Sequence, residues 1–217
     1  MECKHCKGIC IKKGCQNRRQ KYCCKACGRY QQKTYTYKLC TADDDQNIIK
    51  LNNIGVGING IASFTGISKA NVVNKIKQLS KKIKKPVITE NQQEYEVDEM
   101  HTIIKSKSSS CYIIYAINKN TKQVIDFTLG ARTKENIGKV ISALVHLIPK
   151  KIFTDNLNIY PGLIAKSIHS TNQYKTNRIE RFNLTLRTHL KRLNRRTICF
   201  SKSIAMLESC LKLYFWQ

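Results

Sequence analysis

Long apolar runs are missing from this 217-residue chain. The longest, Cys111-Tyr-Ile-Ile-Tyr-Ala-Ile117, is too short to cross a bilayer. The opening Met1-Glu-Cys-Lys-His-Cys6 lacks the apolar core of a secretory leader, which argues against export. No amphipathic anchor, internal repeat or low-complexity tract stands out. Acids are scarce as well: 14 Asp and Glu face 39 Lys and Arg, a formal charge of +25. That imbalance exceeds what solubility requires and points to a polyanion, and the cations occur in every part of the chain. Without an anchor, a membrane surface is the weaker polyanion and nucleic acid the stronger. Cysteine, in contrast, is plentiful. Eleven Cys in a chain read as non-secreted argue for metal ligation over disulfides and for a reducing, cytoplasmic compartment.

Composition divides the chain. Residues 1–40 hold eight of the eleven Cys, eleven Lys and Arg, and one acid, Glu2; this stretch cannot bury a core unaided. Cys3-x2-Cys6 and Cys24-x2-Cys27 have the spacing of a four-Cys zinc ribbon or finger. Zinc would supply the missing folding free energy, about 10–16 kcal/mol apparent in small fingers. His5, Cys10, Cys15 and Cys23 are spare ligand candidates. Arg18 and Arg19 make phosphate contacts plausible for the module, and they equally suit a solvated face.

Residues 41–83 read as helical. Asp43, Asp44 and Asp45 suit a helix start, and Gly55 to Gly60 interrupts the pattern. Gly66 then turns the chain, Ser68 is a good N-cap, and Val72, Val73, Ile76 and Leu79 recur at helical spacing. A short helix, a Gly turn and a second helix exposing Lys69, Lys75 and Lys77 make a helix-turn-helix pattern, which any small helical hairpin shares. Residues 84–93 form a polar linker.

The segment 94–217 predicts an α/β domain. Strands are expected around Tyr95–Ile104, Tyr112–Ile117 and Val124–Leu129, with a hairpin turn at Asn118–Lys122. A helix over 133–148 carries Ile137, Val140, Ile141, Leu144, Val145 and Ile148 on one face. A short strand at Lys151–Thr154 ends at Asp155. A long basic helix follows, with Ile179, Phe182, Leu186, Leu190 and Leu193 as its buried stripe and Arg178, Arg181, Arg187, Lys191, Arg192, Arg195 and Arg196 around them. Ser203–Trp216 reads as an amphipathic closing helix.

Three carboxylates stand out by position. Asp98 lies in the first strand, where alternation sets Glu96, Asp98 and Met100 on one face and Val97 and Glu99 on the other. Asp155 ends a strand where a loop begins, and Glu180 stands alone among cations. Three such acids can supply the hard oxygen ligands that two divalent ions need for in-line phosphoryl displacement. Taken singly, each also reads as a salt-bridge partner.

Several motifs together resemble transposases of the insertion sequence 1 family, which are DDE transposases with a ribonuclease-H-like catalytic domain. They are Glu96-Val-Asp98-Glu-Met, Gly130-x-Arg132, Thr154-Asp155 with Tyr160 following, and Asn177-x-Ile-Glu180-Arg-x-Asn-Leu-x-Leu-Arg187. Arg192-Leu-x-Arg-Arg-Thr197 and Phe200-Ser-Lys-Ser203 complete the set. The family places 24 residues between its second Asp and its Glu, and positions 156–179 number 24. The resemblance implies a ribonuclease-H-like domain preceded by a zinc finger and a helix-turn-helix. It selects Asp98, over Glu96 or Glu99, to join Asp155 and Glu180 as the catalytic acids that hold Mg2+ or Mn2+. It also implies that Arg187 orients DNA and that His169 is an auxiliary. Met100-His101, where the family usually has Leu-Trp, is a departure.

The expected activity is recognition of the element's terminal inverted repeats, hydrolytic cleavage of its 3′ ends and their transesterification into target DNA. Arg18, Arg19, Lys69, Lys75, Arg181, Arg187, Lys191 and Arg192 are the expected DNA contacts. End pairing implies a homodimer or higher oligomer, at the bacterial nucleoid. The alternative is a non-catalytic, sequence-specific DNA-binding regulator, which would not need the three spaced acids. A nucleic-acid chaperone would bind with steep salt dependence and no sequence preference.

Overall fold

A computed structural model of the chain describes residues 1–16, 18–34, 40–88, 90–171, 176–194 and 197–217. Arg195 and Arg196 therefore lie outside the described residues. Two compact units are present, Met1–Leu39 and Cys40–Gln217. No described helix is long and apolar enough to cross a membrane.

The first unit is a three-stranded antiparallel sheet of β1 (Cys10–Gln16), β2 (Arg19–Cys24) and β3 (Tyr30–Gln32), in that order. Among its described residues, the buried apolar cluster consists of Cys3, Cys10 and Cys24, with Tyr22 packed against them. Sulfur replaces hydrocarbon as the interior, consistent with a segment too small and too polar to fold by burial.

The second unit opens with α1 (Ala42–Asn53), α2 (Ile58–Thr65) and α3 (Lys69–Lys82). Each start follows from local chemistry. Thr41 and Asp44 form a reciprocal capping box, the Thr41 hydroxyl accepting from the Asp44 N–H at 3.2 Å and Asp44 accepting from the Thr41 N–H at 2.9 Å. Gly66 ends α2 in the left-handed region at φ 69°, and Ser68 caps α3 by accepting from the Asn71 N–H.

The sheet that follows contains β4 (Glu94–Ile103), β5 (Ser110–Asn118) and β6 (Val124–Gly130). Next come α4 (Lys134–Val145), β7 (Lys151–Phe153) and β8 (His169–Ser170), and then α5 (Asn177–His189) and α6 (Ile204–Trp216). The strand order is β6-β5-β4-β7-β8. Its first three strands pair antiparallel, while β4, β7 and β8 run parallel. Alternation along β4 and β5 divides the apolar residues between two cores. Tyr95, Val97, Ile114 and Ala116 face α4, with Tyr160 and Ile164, on one side. Met100, Ile113, Tyr115 and Ile117 face Ile179 and Leu186 of α5 and Leu207 and Leu211 of α6 on the other.

Several expectations change here. Val145 and Ile148 are exposed, not part of the α4 stripe, because the helix ends at Val145 and the chain turns through Ile148 at φ 47°. The basic helix stops at His189. Leu190 leaves helical geometry (φ −105°, ψ 92°), and a 3-10 turn at Lys191–Leu193 follows. This break still delivers Leu190 and Leu193 to the α5 core.

The closing helix is apolar on two sides. Leu207 and Leu211 enter the sheet core, whereas Met206, Cys210 and Leu213 complete the interior formed by Ile48, Ile61, Ile67, Val72 and Ile76 of the helical segment. α6 carries a partly exposed ion pair, Glu208–Lys212 at 2.7 Å. The segment expected as a linker is tied down as well. Lys85 pairs with Asp126 at 2.7 Å, and Ile88 packs into the α4 core.

The helical segment also meets α5. Gly55, at φ 79°, lies so near the end of α5 that a Cβ there would stand 1.8 Å from the His189 carbonyl oxygen. Gly55→Ala is therefore expected to cost more than about 1 kcal/mol, from both strain and collision. Urea unfolding followed by Trp216 fluorescence checks this; an unchanged midpoint would contradict it.

Candidate functional site

The site forms where β4 loses its neighbour. β7 pairs with β4 only through Glu94, Tyr95 and Glu96, so at Asp98 and Glu99 no described strand pairs with that edge of β4; the edge is met again at Ile104, which bridges Ser201. The chain leaving β7 brings in Asp155 there, at the carboxyl ends of parallel strands, where α/β sheets place reactive side chains. Carboxylate oxygens of Asp98, Glu99 and Asp155 all lie within 4.8 Å of one another. Alternation alone sets Asp98 and Glu99 on opposite faces. At an open edge both can bend round the strand to one point.

Neighbours fix these carboxylates. Asn183 of α5 donates its Nδ2 to Asp98 Oδ2 at 2.5 Å and accepts from the Tyr115 hydroxyl at 2.7 Å. The Glu99 N–H donates to Asp98 Oδ1 at 2.7 Å. The Tyr160 hydroxyl donates to Glu99 Oε1, and the Leu157 N–H donates to Asp155 Oδ1 at 3.1 Å. Glu180, exposed in the first turn of α5, falls outside the 4.8 Å group and accepts from the Thr176 hydroxyl at 3.2 Å. Its charge nevertheless reaches Asp98. His169 shares a hydrogen bond between its Nε2 and the Thr154 hydroxyl at 2.8 Å, beside Asp155, and burial lowers its pKa.

The electrostatics are those of crowded acids. Burial raises the pKa of Asp98 first; the Glu99 N–H and Asn183 oppose this, while Asp155 and Glu180 add to it. Glu99 is pushed up to about 7, mainly by burial, with Tyr160 opposing and Asp155 and Asp98 reinforcing. Such a group favours a cation, because a bound positive charge removes the repulsion that burial amplifies. Sequence reasoning missed Glu99 as a member of the cluster and missed the Tyr115–Asn183–Asp98 chain, although Tyr160 and Asn183 both lie within the motifs that carry the family resemblance.

The basic residues divide into two sets. Arg18, Lys69, Arg181 and Lys191 are exposed. The other four are engaged within the protein. Arg19 donates to the Thr34 carbonyl and hydroxyl, both at 3.1 Å. Lys75 pairs with Asp45 at 2.8 Å. Arg187 donates to the Leu193 carbonyl at 2.9 Å and the His101 carbonyl at 3.0 Å. Arg192 donates to the Ser201 hydroxyl at 3.0 Å. Lys75 and Lys77 are half-buried, not exposed as their spacing implied; the Asp45 pairing draws Lys75 inward.

In the first unit, Cys3, Cys6, Cys24 and Cys27 present sulfur atoms all within 4.8 Å of one another. Sγ separations are 3.6 Å for Cys3–Cys27 and 3.4 Å for Cys6–Cys24. Backbone N–H groups of Cys6 and His5 bring Cys3 down to about 6, and those of Cys27 and Ala26 lower Cys24. Cys10, Cys15, Cys23 and His5 fall outside this group.

The raised Glu99 has a consequence for stability. Its folded value near 7 exceeds the usual carboxylate value of 4.5. The folded state therefore holds the extra proton between those limits, and the stability it gives is lost as pH rises through about 7. Glu99→Gln is expected to flatten that loss in metal-free protein, read as urea midpoints between pH 5 and 8. An unaltered pH profile would contradict the assignment.

Residues 94–216 match the family described as IS1 transposase. The chain is 37% identical over 116 residues to insertion element iso-IS1n protein InsB of Shigella dysenteriae, covering 54% of this chain and 88% of that protein. It is 32% identical over 119 residues to insertion element IS1 4 protein InsB of Escherichia coli (strain K12), covering 55% of this chain and 71% of that one. Among solved structures, it is similar to a chain of a simian T-cell lymphotropic virus intasome in complex with PP2A regulatory subunit B56 gamma. That likeness has a TM-score of 0.39 and 16% identity, and it covers 71% of this chain and 63% of the other. With the family match spanning the whole sheet and the helices that flank its acids, the chain belongs to the IS1 transposase family.

Proposed function

We propose that this transposase works by DDE chemistry on a ribonuclease-H-like domain, with Asp98, Asp155 and Glu180 as its catalytic acids. The strand order β6-β5-β4-β7-β8, antiparallel and then parallel about β4, supports that fold. The observation that carries the reading is the meeting of Asp98 and Asp155 at the open edge of β4, beside the helix that presents Glu180.

The donor set fits hard divalent ions: carboxylate oxygens held close together, with no thiolate or imidazole among the clustered ligands. Asp98, Asp155 and Glu180 would hold Mg2+ or Mn2+, and Glu99 adds a further oxygen donor. When bound, such ions lower the pKa of an attacking oxygen and stabilise the leaving one. The protein does the rest. Asn183 and Tyr115 aim Asp98, Tyr160 restrains Glu99, and the exposed cations Arg181 and Lys191 are available to phosphates.

The reaction is hydrolysis at the element's 3′ ends followed by transfer of those 3′-hydroxyls to target DNA, with no covalent protein–DNA intermediate. Zinc on Cys3, Cys6, Cys24 and Cys27 organises the first unit, which acts with α2 and α3 as the end-recognition apparatus. Arg18 and Lys69 are its exposed cations; Arg19 and Lys75 serve internal structure as well. Pairing two ends calls for at least a dimer.

Mg2+-dependent joining of a labelled duplex, carrying the terminal inverted repeat of its own element, into plasmid tests this. The parent is expected to join. Asp98→Asn, Asp155→Asn and Glu180→Gln should each lose more than the roughly 100-fold that removing a supporting residue costs, with end binding retained. A parent that binds but never joins would favour the regulator. Joining by any one variant would remove that residue from the catalytic set.

A further inference from the structure

Glu96 is the one acid of the Glu96-Val-Asp98-Glu99 motif that the chemistry does not use, and it is fully buried, at 0% exposure. Its strand neighbours are Ile117 of β5 and Phe153 of β7, so β4 has no open edge there. Unlike Asp98, it has no route to a bound ion at that edge. It faces α5, where Oε2 accepts from the Ile179 N–H at 2.8 Å and Oε1 has no hydrogen-bond partner.

Ile179 is the third residue of α5, and its N–H is one of the first-turn amides that a helix cannot satisfy by itself. Among the described residues no local cap is present. Thr176, at the N-cap position, makes no side-chain bond to the helix amides, and its hydroxyl donates instead to Glu180. An acid 83 residues earlier in the chain takes over that duty. Burial raises the Glu96 pKa, and the Ile179 N–H, the Lys119 and Arg178 charges and the Arg178 N–H oppose it; the amino end of a helix favours the negative charge that remains. The arrangement is costly: burying a carboxylate is unfavourable where an apolar side chain of similar size would pack. Packing alone does not account for an acid at this position.

We infer that Glu96 is a positioning residue that caps α5 from β4 and so sets the placement of Glu180 relative to Asp98. Glu180 follows Ile179 directly, and Asp98 lies two residues beyond Glu96 on the same face of the same strand. One hydrogen bond thus joins the strand bearing the first catalytic acid to the helix turn bearing the third. Asn183 makes a second tie one turn later, from α5 to Asp98 itself. The inference rests on the catalytic reading of Asp98 and Glu180 proposed above.

Amide hydrogen exchange on the parent protein is the first arm of the test. Ile179 should exchange at least about tenfold more slowly than Asn177, because of the two only Ile179 has an internal acceptor among the described residues. Equal rates would overturn the cap, whatever reaction the protein performs. The second arm compares Glu96→Ala with Glu96→Gln, which keeps an acceptor oxygen. The Ala variant should lose roughly 10–100-fold in the rate constant for end cleavage at saturating DNA. Its affinity for end DNA should not change, and its Ile179 and Glu180 amides should exchange faster. The Gln variant should recover both rate and protection. A folded Ala variant with parental cleavage, or a Gln variant as impaired as Ala, would overturn the inference. If Ala fails to fold, the Gln variant and the parental exchange decide. A parent that cleaves nothing counts against the transposase reading instead, and the exchange rates then decide the cap on their own.

Discussion

The short pairing between β7 and β4 is the constraint on which the site depends. Three residues of β7 cover β4 as far as Glu96 and then stop, leaving Asp98 and Glu99 at a strand edge where β7 no longer pairs. A longer β7 would bury that edge in a continuous ladder and hold Asp98 and Glu99 on opposite faces. A shorter one would release Asp155. The same strand is where antiparallel pairing gives way to parallel, so the acids gather where the sheet changes character. Burying them, and then crowding them, is unfavourable in the metal-free protein, which raises Asp98 and Glu99. That unfavourable charge is what a divalent cation would relieve.

The helices organise around the same point. α5 is fixed by Glu96 at its first turn, by Asn183 one turn on, and by Arg187 through the carbonyls of Leu193 and His101. α6 lies against the sheet with Leu207 and Leu211 and against α1–α3 with Met206, Cys210 and Leu213. Because one helix supplies both interiors, residues 40–217 form a single compact unit in which the helical segment shares its core with the sheet. The three-helix segment α1–α3 is thus carried at a set place relative to the acids.

Much of this was legible in the sequence because each legible element has one environment per face. Alternation in β4 and β5 and the Ile137–Leu144 stripe of α4 each reflect two well-separated cores. Asp43–Asp45, Gly66 and Ser68 marked helix ends because their chemistry is local. What could not be read depended on distant partners. β8 has only two residues and no period to detect. Glu99 joined the cluster because a neighbouring strand stops short, a fact that no alternation rule contains. Arg19, Lys75, Arg187 and Arg192 looked like free cations, yet carbonyls, a carboxylate and hydroxyls of the chain itself occupy them. The donors that grip a phosphate also suit those groups, so sequence cannot distinguish the two uses.

The central claim is that Asp98 and Asp155 converge to hold a catalytic divalent ion, with Glu180 completing the set. Anomalous X-ray diffraction from crystals of the protein soaked in Mn2+ tests it most directly. The expected result is a manganese peak within coordination distance of carboxylate oxygens from both Asp98 and Asp155. A folded protein with Mn2+ bound only elsewhere, or with no ion at the open edge of β4, would contradict the account.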